Sequence, residues 1–476
     1  MGNTLYSTTL HVFPRISTLF FLILALLISA EGAALELKAG TAKEMVTPEK
    51  LLNLTAGKLN NGTMLPTTGK EHDLFARVLT LFDGTNRLVI VTYDMNSLDV
   101  ATPILRERCK KEMGIDPSCL ILMCTHNHQA PMPRLKENFP HQRWLAERIY
   151  SLIGEAVARE KGPVNLYYGS GQGYFVRNSE NAPVDYEIQV LKVMQGKQAV
   201  ALLFNQPTHP LHSTRTKIDV GHPGYALDEL EKMFPGMLPL YADACGGNQF
   251  PVAANDSTYA SVQTCRALGV KLAQAVRDIA AGPMEEVTGP ISARMDVVSL
   301  PFAPPLSYTE ALALAKGIPL DIGYDHGVNR GTNWIRVLLK HYKEGLPFPT
   351  RSGELFVRDE GYVYPEPDDS RPFPCRCEEV IVAKIGPMPL VVLQGEVCAS
   401  IGMRIKDAFR TQRPIMLFAY MGEQNIYIPT RESVRTNDYQ AQVIKIQYAS
   451  PVGWAPEVED EMVSGTVKLI KQVVGK

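Results

Sequence analysis

The sequence contains no paired Cys-x-x-Cys units. Its eight cysteines, Cys109, Cys119, Cys124, Cys245, Cys265, Cys375, Cys377 and Cys398, are dispersed, with Cys375-Arg376-Cys377 the one close pair. A zinc site built from four cysteines is therefore not expected, whereas disulfides are permitted without being forced if the chain is exported. There is no P-loop, and no Gly-x-Gly-x-x-Gly follows a strand-like run, which argues against a nucleotide cofactor. An excess of positive charge is missing too. The formal net charge is −2, and no basic stripe is interleaved with aromatics, so the electrostatic footprint of a nucleic-acid partner is absent. Internal repeats and low-complexity linkers are likewise missing, and no protein partner is signalled.

What is present is ordinary for a globular protein with a large core: 45% hydrophobic and 21% charged residues. At 476 residues the chain exceeds one average domain, yet single catalytic α/β domains reach this size. Near the N-terminus, Arg15 precedes the apolar run from Thr18 to Ile28, followed by Ser29-Ala30-Glu31-Gly32-Ala33-Ala34. A basic residue, a short apolar core and small residues make a secretory signal peptide. The run is shorter than the ~20 residues a spanning helix needs. Residues 1–34 are thus expected to be removed, leaving 35–476 as a secreted or periplasmic catalytic domain, with an uncleaved membrane tether as the alternative. No Cys follows the apolar core, and Tyr6 stands where myristoylation requires Ser or Thr. Sequons occur at Asn53, Asn61 and Asn255.

Strand-like and helix-like pieces alternate along the mature chain. Arg77–Phe82 and Leu88–Tyr93 flank Asp83-Gly84-Thr85-Asn86, which reads as a hairpin. Helical patterns cover Ala101–Met113, Gln142–Glu160, Gly224–Met233, Tyr259–Ala280, Tyr308–Lys316, Asn333–Lys343 and Val458–Val473. Strands are expected at Leu120–Met123, Val164–Tyr168, Tyr186–Val193, Ala199–Phe204, Glu379–Ile385 and Leu390–Gln394, and the stretch Pro347–Pro374 reads as a long surface loop. The expected fold is one α/β domain with mixed β-sheets flanked by helices.

The chemistry concentrates in Cys124-Thr125-His126-Asn127-His128-Gln129-Ala130-Pro131. Alternation in an extended chain would bring His126 and His128 to the same face at a strand's end. Pro131 and Pro133 stop the ladder there. Two imidazoles on one face are a metal-ligand pair, a ligand beside an acid–base group, or two buried histidines bonding backbone carbonyls. Three further polar groups end apolar runs: His209 after Ala201–Phe204, Glu396 after Leu390–Leu393, and Tyr427 after Met416–Tyr420. Open α/β sheets place ligands at such ends.

Together these segments resemble the neutral/alkaline ceramidase family, non-lysosomal zinc amidases, over nearly the whole mature chain. In that family a Thr-His-Thr-His-Ser-Gly-Pro segment supplies a zinc ligand from its first histidine and a catalytic contact from its second. Thr125-His126-Asn127-His128-Gln129-Ala130-Pro131 stands in its place. The resemblance implies His126, His209, Glu396 and Tyr427 as ligands of Zn²⁺, and His128, Tyr439 and Arg177 as catalytic groups, Arg177 on a looser alignment. Tyr439 keeps the family's interval of twelve residues from the ligand tyrosine. Two departures stand out. Phe250 replaces a pocket serine in Gly247-Asn248-Gln249-Phe250-Pro251, and Gly221-His222-Pro223-Gly224-Tyr225 has lost the family's acid.

Two imidazoles, a carboxylate and a phenolate would leave zinc an open position for water or substrate, so hydrolysis would not need the missing serine. The expected activity is hydrolysis of the linear amide bond of an N-acyl compound, ceramide or a related N-acyl lipid, with membrane-surface contact compatible with a lipid substrate. The alternatives are a zinc deacylase or esterase acting on a non-lipid small molecule such as an acylated sugar, and an inactive binding protein that kept the fold.

Overall fold

The central strands are apolar on both faces, and each face meets a different core. In Arg87–Tyr93, Val89 and Val91 join one cluster while Leu88 and Ile90 join another. Leu120–Cys124 repeats the pattern, with Leu120, Leu122 and Cys124 on one side and Ile121 and Met123 on the other. Strands covered on both faces read as continuous hydrophobic runs, which is why these segments stood out in the sequence. The computed structural model describes residues 1–2, 4, 36–59, 63–133, 135–179, 182–254, 258–318, 331–348, 351–352, 356–358, 361–363, 374–422 and 426–475. The expected signal segment, apart from residues 1–2 and 4, and the sequons at Asn61 and Asn255 lie outside the described residues. Contacts separate residues 1–36 from residues 37–476, and the architecture is that of the second unit.

Its larger sheet has nine strands. In spatial order they are Lys38–Met45, Phe75–Phe82, Arg87–Tyr93, Leu120–Cys124, Met416–Met421, Met388–Gln394, Cys375–Ile385 and Ile291–Pro301, with Arg351–Ser352 also pairing on Cys375–Ile385. Within it Arg87–Tyr93 runs parallel to Leu120–Cys124, and Met388–Gln394 parallel to Met416–Met421. These two parallel pairs meet through one residue pair among the described residues, Met123 opposite Met421, next to where both strands end. A five-stranded sheet of Leu238–Asp243, Gln198–Gln206, Glu187–Gln195, Asn165–Gln172 and Glu285–Glu286 packs against one face. Leu79, Ile90, Val392 and Phe418 of the larger sheet meet Leu166, Leu191, Leu203 and Leu240 of the smaller one in a shared core.

Helices cover the two outer faces. Leu105, Ile149, Ile401 and Leu469, from Ala101–Met113, Phe139–Ala158, Ala399–Asp407 and Val458–Val474, pack on the larger sheet. Leu227, Leu230, Leu272 and Val276, from Gly221–Met233 and Val262–Ala281, pack on the smaller one. The result is the expected α/β architecture of mixed sheets flanked by helices.

Local chemistry sets several boundaries. Phe75–Phe82 and Arg87–Tyr93 form the expected hairpin, where the Asp83 carboxylate accepts from the backbone N–H groups of Thr85 and Asn86 at 2.9 and 2.7 Å. The helix expected from Tyr259 starts at Val262, because Ser261 caps it by accepting from the Thr264 N–H. The stretch expected as one long loop holds the short strands Arg351–Ser352, Phe356–Arg358 and Gly361–Val363, too short to show a period; most of the rest lies outside the described residues. Among the described residues no helix is long and apolar enough to cross a membrane.

Phe418 is fully buried between the sheets. Phe418→Ala should lower the unfolding free energy by about 3–5 kcal/mol, read from denaturant titration. Tyr174→Ala, at a side chain 75% exposed, should change it by less than about 0.5 kcal/mol. Equal effects would remove Phe418 from the core.

Candidate metal centre

Four chain segments end at one point. The strand carrying the His-x-His pair stops at Cys124, and His126 turns into the left-handed region at φ 49°. The two histidines therefore do not converge by strand alternation, as expected, but because the backbone turns after the strand. Their rings meet edge to face at 4.7 Å. A left-handed non-glycine residue costs on the order of 1–3 kcal/mol and persists where the surroundings enforce it. Here Nδ1 of His126 lies 3.2 Å from the Asn96 side-chain amide, which turns Nε2 the other way.

His209 follows the strand Gln198–Gln206. Its Nδ1 faces the carbonyl oxygens of Gly246 and Gln249 at 3.0 and 3.3 Å. Carbonyls only accept, so Nδ1 carries a hydrogen and Nε2 is the nitrogen turned toward the centre. The chain packs so closely here that a Cβ on Gly246 would lie 2.4 Å from the Thr208 nitrogen, and one on Gly247 2.4 Å from the Glu396 carbonyl oxygen. Glu396 follows Gly395, whose φ is 91°, and lies opposite Tyr427 in a two-residue parallel ladder. That ladder sets the carboxylate and the phenol side by side.

The donor atoms then converge. His126 Nε2 and His209 Nε2 lie 3.3 and 3.1 Å from Glu396 Oε2, and the Tyr427 hydroxyl lies 3.0 Å from His209 Nε2. All four side chains are buried. His126, His209 and Glu396 offer donor atoms within 4.8 Å of one another. Burial alone would push the Glu396 carboxyl up, yet the imidazoles of His126 and His209 against it hold it well below the usual carboxylate range. Burial pushes the His126 imidazole down. Two imidazole nitrogens and a carboxylate oxygen converging at this spacing, beside a phenol, are a donor set that suits Zn²⁺, so the residues present fit such an ion.

The remaining expected residues surround this point. His128 places Nε2 3.1 Å from His126 Nε2 and is half-buried; burial, then the neighbouring imidazoles, holds its ring neutral. Tyr439 stands at the rim, half exposed, with its ring 5.8 Å from that of Tyr427 and its hydroxyl accepting from Gln447 at 2.5 Å. Arg177 is exposed, its guanidinium 5.7 Å from the ring of Phe250, its partner in a short antiparallel ladder. Phe250 in turn stacks on His209 at 4.8 Å. The residue that replaces the family's serine thus forms an apolar wall of the centre.

Two neighbours escaped the sequence reading. His212 stacks on His128 at 4.8 Å, and its Nε2 accepts the backbone N–H of His128 at 3.1 Å. Tyr420, buried and left-handed at φ 58°, lays its ring 4.5 Å from that of His126. His209-Pro210-Leu211-His212 was the available signal for the first, whereas Tyr420 is hidden in an apolar strand. His222, where the family has an acid, is a structural histidine: Nδ1 accepts from the Leu211 N–H at 2.8 Å and Nε2 faces Gln206 Oε1 at 3.3 Å.

No protein-family model matches the sequence, and no curated protein matches it. Solved structures do. The neutral ceramidase of Pseudomonas aeruginosa superimposes with a TM-score of 0.68 at 17% identity, over 92% of this chain and 75% of that one. A ceramidase complexed with C2 gives 0.68 at 18% identity, over 92% and 76%. The likeness is one of fold, and the resemblance read from the sequence holds at that level: the chain has the neutral ceramidase fold.

Burial pushes the His222 imidazole down to about 3, against about 6.5 when unfolded. Folding keeps it neutral, and the Leu211 N–H aimed at Nδ1 leaves no place for a second proton. Its contribution to stability is complete above pH 6.5 and is lost as pH falls toward 3, at up to about 1.4 kcal/mol per pH unit. Between pH 6 and pH 4, His222→Gln should flatten the fall in unfolding free energy by about one proton. Coincident slopes for wild type and variant would show that the ring is not held neutral.

Proposed function

We propose that the chain is an exported, zinc-dependent amidohydrolase of the neutral ceramidase family that cleaves the amide bond of an N-acyl compound. The observation that carries this reading is the meeting of His126, His209, Glu396 and Tyr427 at one buried point. These four residues would hold the ion. Bound zinc supplies Lewis acidity and brings the pKa of water down to about 7, which fits a pocket in which Phe250 offers neither nucleophile nor hydrogen-bond donor.

The other groups act on protons and charge. His128 is neutral, half-buried and beside His126, so it can take a proton from the attacking water and pass it to the leaving amine. The N–H···N bond from His128 to His212 and the stacking of the two rings fix where that base stands. Tyr439 and Arg177 at the rim offer donors to the carbonyl oxygen as it gains charge. The Phe250 ring against His209 excludes water from one side and presents an apolar surface to an acyl chain. Ceramide and related N-acyl lipids are the leading substrates; Phe250 in the serine's place is the observation that favours a different acyl compound. Export rests on the apolar N-terminal run.

Purified protein should carry about one zinc per chain by elemental analysis and hydrolyse members of an N-acyl panel. His126→Ala should lose metal and activity together. His128→Ala should keep its metal while turnover falls ~10²- to 10⁴-fold. Zinc content in Glu396→Ala equal to that of wild type would sink the metal assignment. Loss of zinc in the His128 variant would make that residue a ligand instead.

A further inference from the structure

A cavity of ≈130 Å³ lies beside the helix Tyr439–Ile446, and the reaction proposed above does not use it. Its lining is mixed: Leu306, Val434 and Val452 are among the apolar residues, and Asn437, Lys445 and Trp454 carry polar groups. The Lys445 ammonium has no carboxylate partner among the described residues, and it stands over the face of Trp334, 4.9 Å from Nζ to the ring centroid. Burial alone lowers its pKa, as expected of a cation without a counter-charge. Trp454 is 3% exposed, and its Nε1–H finds no acceptor among the described residues. Gly453 completes the arrangement: a Cβ there would sit 2.7 Å from Lys445 Cε and 3.1 Å from Nζ, so the missing side chain leaves the ammonium its room.

Unanswered buried donors cost free energy. One cation and one buried N–H, beside the exposed Asn437, match the two oxygens and single charge of a carboxylate. We infer that this cavity is a binding site for a short-chain monocarboxylate, held by Lys445 and Trp454 with its alkyl part against Leu306, Val434 and Val452. The free volume suits a ligand of several heavy atoms. The helix that carries Lys445 begins at Tyr439, so occupancy bears on the residue at the rim of the metal centre. The inference stands apart from the amidase reading, because it uses none of the residues that would bind zinc.

The full chain is titrated with sodium butyrate at constant ionic strength, following melting temperature and tryptophan fluorescence. Wild type should show a saturable rise in melting temperature. Lys445→Met, which keeps the stem and removes the charge, should weaken binding at least about tenfold, and Trp454→Phe should weaken it several-fold. Glu396→Ala, which removes the metal centre, should leave the response intact. No response in wild type, an unchanged response in Trp454→Phe, or loss of the response in Glu396→Ala would each overturn the assignment. So would inorganic phosphate binding as tightly as butyrate. Should Lys445→Met fail to fold, Gly453→Ala crowds the same ammonium and should weaken butyrate in its place.

Discussion

A buried carboxylate has to be answered by positive charge or by donors, and Glu396 is answered by two imidazoles. Its Oε2 stands 3.1 and 3.3 Å from the two Nε2 atoms, in a place where water cannot do the same work. That requirement reaches far into the fold. Each of the three side chains comes from a different part of the molecule: His126 follows a strand in one half of the nine-stranded sheet, Glu396 follows a strand in the other half, and His209 follows a strand of the five-stranded sheet. The centre exists only when both sheets and both halves are in register.

The surroundings hold those three in place with few free torsions. Two backbone carbonyls fix the tautomer and angle of His209, and the ladder with Tyr427 fixes Glu396. Left-handed backbone at His126 and Tyr420 is strain that the packing on either side sustains. Glycines at 246 and 247 let the chain pass where no Cβ would fit. The same rigidity would suit an ion, and the His128 ring held by His212 has little freedom to wander.

Much of this was legible in the sequence because the strands are buried on both faces and end in polar residues. The apolar runs before His126, His209 and Glu396 gave the strands, and the polar residues that stop them gave the centre. The reason for convergence was not legible. Strand alternation predicts that His126 and His128 share a face, whereas the structure brings them together through a left-handed turn, which no residue type there announces. His212 and Tyr420 were missed for a related reason. A histidine in a proline-bracketed loop and a tyrosine within an apolar strand carry no periodic signal, and only the fold brings them to the imidazoles. Phe250 showed the converse: the sequence revealed a departure from the family it resembles, and the structure shows that ring stacked on His209.

The contact of Met123 with Met421 has a mechanical side. A nine-stranded sheet whose halves meet through one residue pair among the described residues has a seam there, with few ladder hydrogen bonds to resist opening. His126 lies just past one lip of that seam, and Glu396 lies just past the end of a strand in the other half. A ligand gripping both acts as a rivet across the joint, and its loss would be felt first as fraying along that line. Amide exchange near Cys124 and Met421 would then report on the state of the centre more directly than global unfolding does.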